Sequence, residues 1–304
     1  MKNWNGCTYL HEYLSSVVCL CFVLLFGLLF FALLFYFVYC FMSFYLYLYK
    51  KIYNMPEDMQ NNLWDNPRHV VSYILCQIGR IFHDYEVIGM ENVPKGPGII
   101  VFYHGAFGND YGFFISNLYS KTGRLCHSVT DNIMYLLPGL RPLLNVLCLT
   151  RGRKAECLEI LKAGHLLGIS PGGMREALFS DHHYELIWGN RTGFAQLALE
   201  AKVPIIPLFT QNIRESCRTV GRTRLSRWLY ERTRITCLPV LGYFPVKLRT
   251  YIGEPIPYDP NITAQELAEK TKIAIENLRD RYQKIPGSIL TALAERFQNH
   301  HKEN

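Results

Sequence analysis

The sequence predicts an α/β protein: a mostly parallel sheet covered by helices, set behind an N-terminal transmembrane anchor. Three observations predict it. A long N-terminal run carries no charge, short apolar segments alternate with amphipathic ones from residue 98 onward, and a histidine and a Pro-Gly-Gly turn each follow such an apolar segment.

From Tyr13 to Tyr49 there is no Asp, Glu, Lys or Arg. One bilayer crossing takes about 20 residues, so the run is long enough for one tilted helix with a tyrosine-rich interfacial end, or for a tight two-span hairpin. Only Gly27 and Ser43 offer turns for the hairpin. A secretory signal has an apolar region of about 7–15 residues that ends in small residues, unlike this run, so residues 1–52 read as a retained anchor. Lys50 and Lys51 follow the run directly, whereas the N-terminal flank carries Lys2 and Glu12. The positive-inside bias then places the rest of the chain in the cytosol.

The ten cysteines, three of them (Cys19, Cys21, Cys40) in the apolar run, include no Cys-x-x-Cys pair and no His/Cys cluster with zinc spacing. A reduced compartment without a structural metal fits. The formal net charge is +7, but the Lys and Arg are scattered and no nucleic-acid recognition motif accompanies them. A cytosolic membrane face rich in anionic lipid is the simpler partner. A chain of 304 residues suits one catalytic-sized domain.

Residues 53–84 read as a connector, "NMPEDMQNNLWDNPRH" onward, in which Pro56 and Pro67 oppose a long uninterrupted helix. The catalytic domain is expected over 85–304. There "GIIVFY", "LLGIS" and "VPIIPLF" are continuous apolar segments, and "AECLEILKAG" and "TGFAQLALEAK" are amphipathic. This alternation gives a sheet covered by helices. A last long helix starts at the capping-box pattern of Thr263 and Glu266, keeps Leu267, Thr271, Ala274, Leu278 and Tyr282 on one face, and stops before Pro286-Gly287.

The chemistry is expected at "FYHGAFGNDYGFF". His104 and Asp110 are polar groups in an apolar, aromatic stretch, and burying either is costly unless something pairs with it. His104 falls just past the C-terminal end of a strand, where open α/β sheets bind ligands. A carboxylate that accepts one imidazole proton leaves the other nitrogen basic, as a general base for an alcohol requires. In "GISPGGMREALF", the N–H groups of a Pro-Gly-Gly turn can hold an oxyanion or a phosphate, and Arg175 can add charge. If the alternation is read correctly, both segments share one sheet edge. The same letters contain G-x-S-x-G, with Ser170 as a hydrolase nucleophile and Asp181, His182 and His183 following. The residue after that serine is Pro171, which has no N–H for an oxyanion hole.

In order and spacing, these blocks and "KVPIIPLF" resemble the glycerolipid acyltransferase superfamily. "GHLLGISPGGMREALFSD", "WGNRTGFAQLALEAKVPIIPLFTQNIRE" and "FPVKLRTYIGEPIPYDP" are similar to the branch near the diacylglycerol acyltransferases and plant phytyl ester synthases. The resemblance implies transfer from acyl-CoA, as co-substrate and without a further cofactor, to a lipid hydroxyl at the endoplasmic reticulum. It makes His104 the catalytic base and Asp110 its orienting acid. It places Pro171, Gly172, Gly173, Arg175 and Glu176 in the acceptor-side block, and Pro204 and Pro207 in a structural proline block. The common motif has four residues between histidine and acid; here five intervene and Asn109 holds the expected acid position.

Relatives that acylate phosphorylated glycerols carry Glu-Gly-Thr-Arg where this chain has Pro-Gly-Gly, which tilts the acceptor towards monoacylglycerol or diacylglycerol. Arg175 keeps a phosphorylated acceptor open. Arg151, Arg153 and Lys154 in "TRGRKAE" are candidates for the coenzyme A phosphates, and "DYGFF" is expected against the bilayer. The rival readings are a lipid esterase using Ser170, an acyltransferase acting on lysophospholipid or a long-chain alcohol, and a non-catalytic lipid-binding protein.

Overall fold

Helix α1 (Trp4–Ile52) runs unbroken for 49 residues, with no turn at Gly27 or Ser43, which removes the hairpin. This computed structural model describes residues 4–58, 61–234, 238 and 240–297. At 1.5 Å per residue α1 is about 70 Å long, more than twice a bilayer's hydrocarbon thickness. Among the described residues, Leu33–Ile52 is long and apolar enough to cross a membrane, with a mean hydropathy of 1.3. One face of this stretch, however, is engaged by the domain. Phe35, Met42 and Leu46 lie on one face at helical spacing and are buried, while Phe37, Phe41 and Phe44 on the other face are exposed. Each buried side chain contributes roughly 1.5–3 kcal/mol, so this part of α1 belongs to the fold of the domain.

The stretch read as connector contains α2 (Asp65–His83), a 19-residue helix. Pro67 does not oppose it, because it sits in the first turn, where a backbone N–H has no helical acceptor to lose. The remaining elements follow in order: β1 (Glu86–Ile88), β2 (Gly98–Phe102), α3 (Asn109–Thr122), β3 (Cys126–Val129), α4 (Asn132–Leu136), α5 (Arg141–Val146) and β4 (Leu149–Thr150). Then come α6 (Lys154–Lys162), β5 (Leu166–Ile169), α7 (Gly173–Phe179), α8 (Gly193–Ala201), β6 (Ile205–Gln211), α9 (Ile213–Ser216) and β7 (Cys217–Thr219). The chain closes with α10 (Arg224–Thr233), β8 (Val240–Gly242), β9 (Arg249–Ile252), α11 (Ala264–Tyr282) and α12 (Ile289–Phe297).

Seven strands form one sheet in the order β1-β9-β6-β2-β5-β3-β4. The five from β6 to β4 are parallel; β9 runs antiparallel to β6, and β1 runs with β9. The mostly parallel sheet is therefore as the sequence predicts, with a reversed edge pair. Strand β2 lies at its centre and every residue in it is buried. Helices α6, α8 and α11 pack together over the sheet, and α2 pairs with α3. The predicted capping box of α11 forms, with the Thr263 hydroxyl accepting from the Glu266 N–H at 3.2 Å.

The aromatic flank "DYGFF" does not face the bilayer. Tyr111, Phe113 and Phe114 are buried. Tyr111 stacks on Phe102 with centroids 3.9 Å apart, and its hydroxyl meets Ser128 Oγ at 2.9 Å. Position 168 has to be glycine here, since a Cβ would lie 1.7 Å from the Tyr111 hydroxyl. The helical spacing of Tyr111, Phe114 and Leu118 turns that face onto the sheet.

Candidate active site

Strands β2 and β5 are parallel neighbours, with Val101 beside Ile169. Their C-terminal ends therefore deliver the two expected constellations to one edge: His104 two residues past β2, and the Ser170–Gly173 turn directly past β5. Glu176 of α7 joins them. Its Oε2 accepts the backbone N–H of His104 at 2.8 Å, and its Oε1 accepts that of Ile187 at 3.0 Å. Burial raises the Glu176 carboxyl to about 7, against the pull of these two N–H groups and of Arg214.

The Pro-Gly-Gly sequence makes this approach possible. A Cβ at Gly172 would lie 2.4 Å from Glu176 Cβ, and Gly173 has φ +51°. Arg191 braces the turn from outside, donating Nη1 to the carbonyls of Pro171 at 2.7 Å and Gly172 at 3.0 Å. We expect Gly172→Ala to force these groups apart and to cost about 1–3 kcal/mol, the usual range for overpacking. Thermal unfolding of the variant beside wild type measures it.

The His104 ring is half-buried. Its Nδ1 lies 2.6 Å from the carbonyl oxygen of Gly105. A carbonyl only accepts, so Nδ1 carries the proton and Nε2 keeps its lone pair. Gly108, at φ +66°, lies over the ring edge; a Cβ there would be 3.5 Å from His104 Cε1. Burial pushes the imidazole pKa below 6.5; the Gly105 carbonyl and Asp131 act upward and Arg214 downward. The ring is neutral at pH 7.

Asp110 does not hold the ring directly. It lies in the first turn of α3, it is buried, and neither carboxylate oxygen bonds to the His104 ring. The carboxyl sits behind Gly105, whose Cβ would lie 3.7 Å from Asp110 Oδ1. Burial raises its pKa to about 6; the Thr210 hydroxyl, the N–H groups of Tyr111 and Asp110, and Arg214 offset this only in part. Asn109 is no substitute, because its Oδ1 accepts the Tyr39 hydroxyl of α1 at 3.2 Å. The tautomer is set by a backbone carbonyl, and helix α1 touches the loop that carries His104.

Sequence reasoning missed Arg214, which is 1 % exposed. Its Nε donates to the Tyr103 hydroxyl at 2.6 Å, Nη1 to the Ala177 carbonyl at 2.8 Å, and Nη2 to the carbonyls of His104 at 3.0 Å and Glu176 at 2.5 Å. One guanidinium thus holds the His104 loop and the last carbonyls of α7 together. A signal was present: an arginine three residues behind the buried strand β6 has to find acceptors inside the fold.

The other expected residues separate. Arg151 and Arg153 line a cavity of about 700 Å³ together with Arg141, Tyr135, Glu156 and Glu159. Arg151 lies over the Tyr135 ring at 5.2 Å. Lys154 turns away to Glu200 at 2.8 Å. Arg175 reaches Glu231 of α10 at 3.6 Å. Ser170 Oγ accepts the Gly173 N–H at 3.4 Å, and neither His182 nor His183 bonds to it.

Residues 84–211 match the family described as Acyltransferase. That span runs from the end of α2 through β6 and holds both the His104 loop and the Pro-Gly-Gly turn, so this is an acyltransferase domain. The fold agrees: the 1-acyl-sn-glycerophosphate (LPA) acyltransferase PlsC from Thermotoga maritima aligns with a TM-score of 0.50 at 15% identity, over 81% of this chain and 97% of that one. The chain is 53% identical to the DGAT1/2-independent enzyme synthesizing storage lipids of Bos taurus, covering 82% of this chain and 75% of that one. The Homo sapiens enzyme of that name is likewise 53% identical, over 80% and 75%, and that of Gallus gallus 53%, over 82% and 71%. The chain belongs to the family of these enzymes, the transmembrane protein 68 family.

Proposed function

We propose that the protein is a membrane-bound O-acyltransferase. It moves an acyl group from acyl-CoA to the hydroxyl of a neutral glycerolipid, giving triacylglycerol from diacylglycerol, or diacylglycerol from monoacylglycerol as a step towards triacylglycerol. The observation that carries this reading is the neutral His104 ring beside the Pro-Gly-Gly turn on one sheet edge, the two tied by the Glu176 carboxylate on the His104 N–H. The relatives, named for synthesizing storage lipids, support a neutral product. The engagement of Arg175 by Glu231 supports an uncharged acceptor.

In this mechanism Nε2 of His104 takes the proton of the acceptor hydroxyl as its oxygen attacks the thioester carbonyl. The N–H groups of Gly172 and Gly173 hold the developing oxyanion, and Arg175 and Glu176 shape the acceptor side. The C–S bond then breaks, the ester forms, and the imidazolium returns its proton to the coenzyme A thiolate. Asp110 balances the imidazolium from behind Gly105. Coenzyme A phosphates sit on Arg151 and Arg153, with Arg141 beside them. Strand β4 leaves the same edge three strands from β2, about 14 Å away, a distance the pantetheine arm spans. Helix α1 crosses the endoplasmic reticulum membrane, and the domain faces the cytosol behind Lys50 and Lys51.

The test uses the full chain in lipid nanodiscs with labelled oleoyl-CoA and dioleoylglycerol. Labelled triacylglycerol with matching release of free coenzyme A is expected, and Ser170→Ala retains it. Label that appears only as free oleate, and is lost in Ser170→Ala, makes the protein an esterase. No acyl-CoA-dependent product would leave a lipid-binding protein.

A further inference from the structure

Helix α10 is fixed at its N-terminus and on its inner face, yet leaves an apolar outer side uncovered. Its N-terminus is closed by a capping box between Thr223 and Ser226. Its inner face is anchored by Tyr230, which is buried with its ring 5.5 Å from that of Phe179. Leu225, Trp228 and Leu229 share the outer face at spacings of three and four residues and are 72%, 57% and 44% exposed. Around them the segment 220–234 carries five arginines and a single acid, Glu231. Arg175 and Arg227 both approach Glu231, at 3.6 and 3.5 Å, and Arg222 approaches Asp181 at 3.7 Å. Arg232 lies over the Trp228 ring. Arg224, Arg232 and Arg234 form no ion pair within 4 Å among the described residues.

We infer that α10 is an interfacial helix that seats the catalytic domain on an anionic lipid surface, with Leu225, Trp228 and Leu229 in the headgroup boundary and the arginines on lipid phosphates. Charge selects this occupant. A second copy of the chain would set the same five arginines against themselves, whereas an anionic leaflet complements both the apolar stripe and its basic border. Continuity with the anchor supports it. Tyr230 and Arg234 share a cavity of about 530 Å³ with Ile133 and Leu136 of α4, and Gly173 of the catalytic turn opens onto it. Leu136 is 78% exposed, and two residues on the Pro138 carbonyl accepts the Tyr36 hydroxyl of α1 at 2.8 Å. The segment of α4 and Pro138 thus connects α1 to the cavity beside α10, with Asp131, Asn132 and Arg191 among the polar residues lining it. The inference does not depend on which lipid is acylated.

The experiment places the full chain in nanodiscs of phosphatidylcholine brominated on its acyl chains, with and without phosphatidylserine. The emission lost on Trp228→Phe isolates Trp228 from Trp4, Trp64 and Trp188. We expect bromine to quench the Trp228 emission, more strongly when phosphatidylserine is present. Replacing Arg224 and Arg232 by Gln should lower the docked-to-free ratio on the anionic discs by about fivefold per arginine, the equivalent of about 1 kcal/mol per basic residue at such a surface. Equal Trp228 emission in brominated and unbrominated discs of both compositions would overturn the inference. So would shielding of Trp228 that develops only when two chains share a disc, the sign of self-association.

Discussion

His104→Ala is expected to lower acyl transfer about 100- to 10,000-fold, the contribution usual for a positioned general base, while leaving the fold in place. The loss is separable from unfolding because the loop is not held by the imidazole. The His104 N–H goes to Glu176 and its carbonyl to Arg214, and both bonds survive in the alanine variant. Among the described residues the ring's one hydrogen bond is to the Gly105 carbonyl, within its own loop. Initial rates with labelled oleoyl-CoA, beside a thermal unfolding curve, check both halves of the prediction. A large loss of rate with an unchanged unfolding temperature is the expected result; parallel losses would mean that the ring is structural.

Arg214→Lys is expected to cost about 1–3 kcal/mol for each buried acceptor that loses its donor, and to abolish transfer with it, although it preserves the charge. The guanidinium donates to one hydroxyl and three carbonyls through three different nitrogens. An ammonium is a point charge that cannot span that fork, so acceptors in a site 1 % exposed would lose their donors. Because one of those acceptors is the His104 carbonyl and two belong to α7, the His104 loop and the end of α7 lose their shared tie together. Thermal unfolding and expression level read the effect; an Arg214→Lys chain with wild-type stability would show that the network is incidental.

Much of this arrangement was legible in the sequence, and for identifiable reasons. Strands β2, β5 and β6 stand out as continuous apolar runs because both their faces are covered, and α6, α8 and α11 as periodic runs with clear ends. From the alternation alone, His104 and the Pro-Gly-Gly turn could be assigned to one edge. What was hidden depends on contacts that local pattern does not encode. Pro67 reads as a breaker unless the start of α2 is known. The aromatic residues after Asp110 look interfacial by composition, and only the packing of α3 between α2 and the sheet buries them. The buried carboxyl of Asp110, the backbone carbonyl that fixes the His104 tautomer, and the Arg214 fork all join residues brought together by the sheet. The apolar run of α1 likewise gives no sign that Phe35, Met42 and Leu46 would dock on the domain.

The pH dependence of kcat/KM for oleoyl transfer tests the central claim, a neutral imidazole acting as base, most directly. A base must be unprotonated to work, and burial holds the His104 pKa below 6.5, so the rate should be level near pH 7 and fall through an acid limb centred below 6.5. Glu176, raised to about 7, titrates above that limb and touches no reacting proton. A limb centred at or above pH 7, or a rate that stays level well into the acid range, would contradict the assignment of His104 as the base.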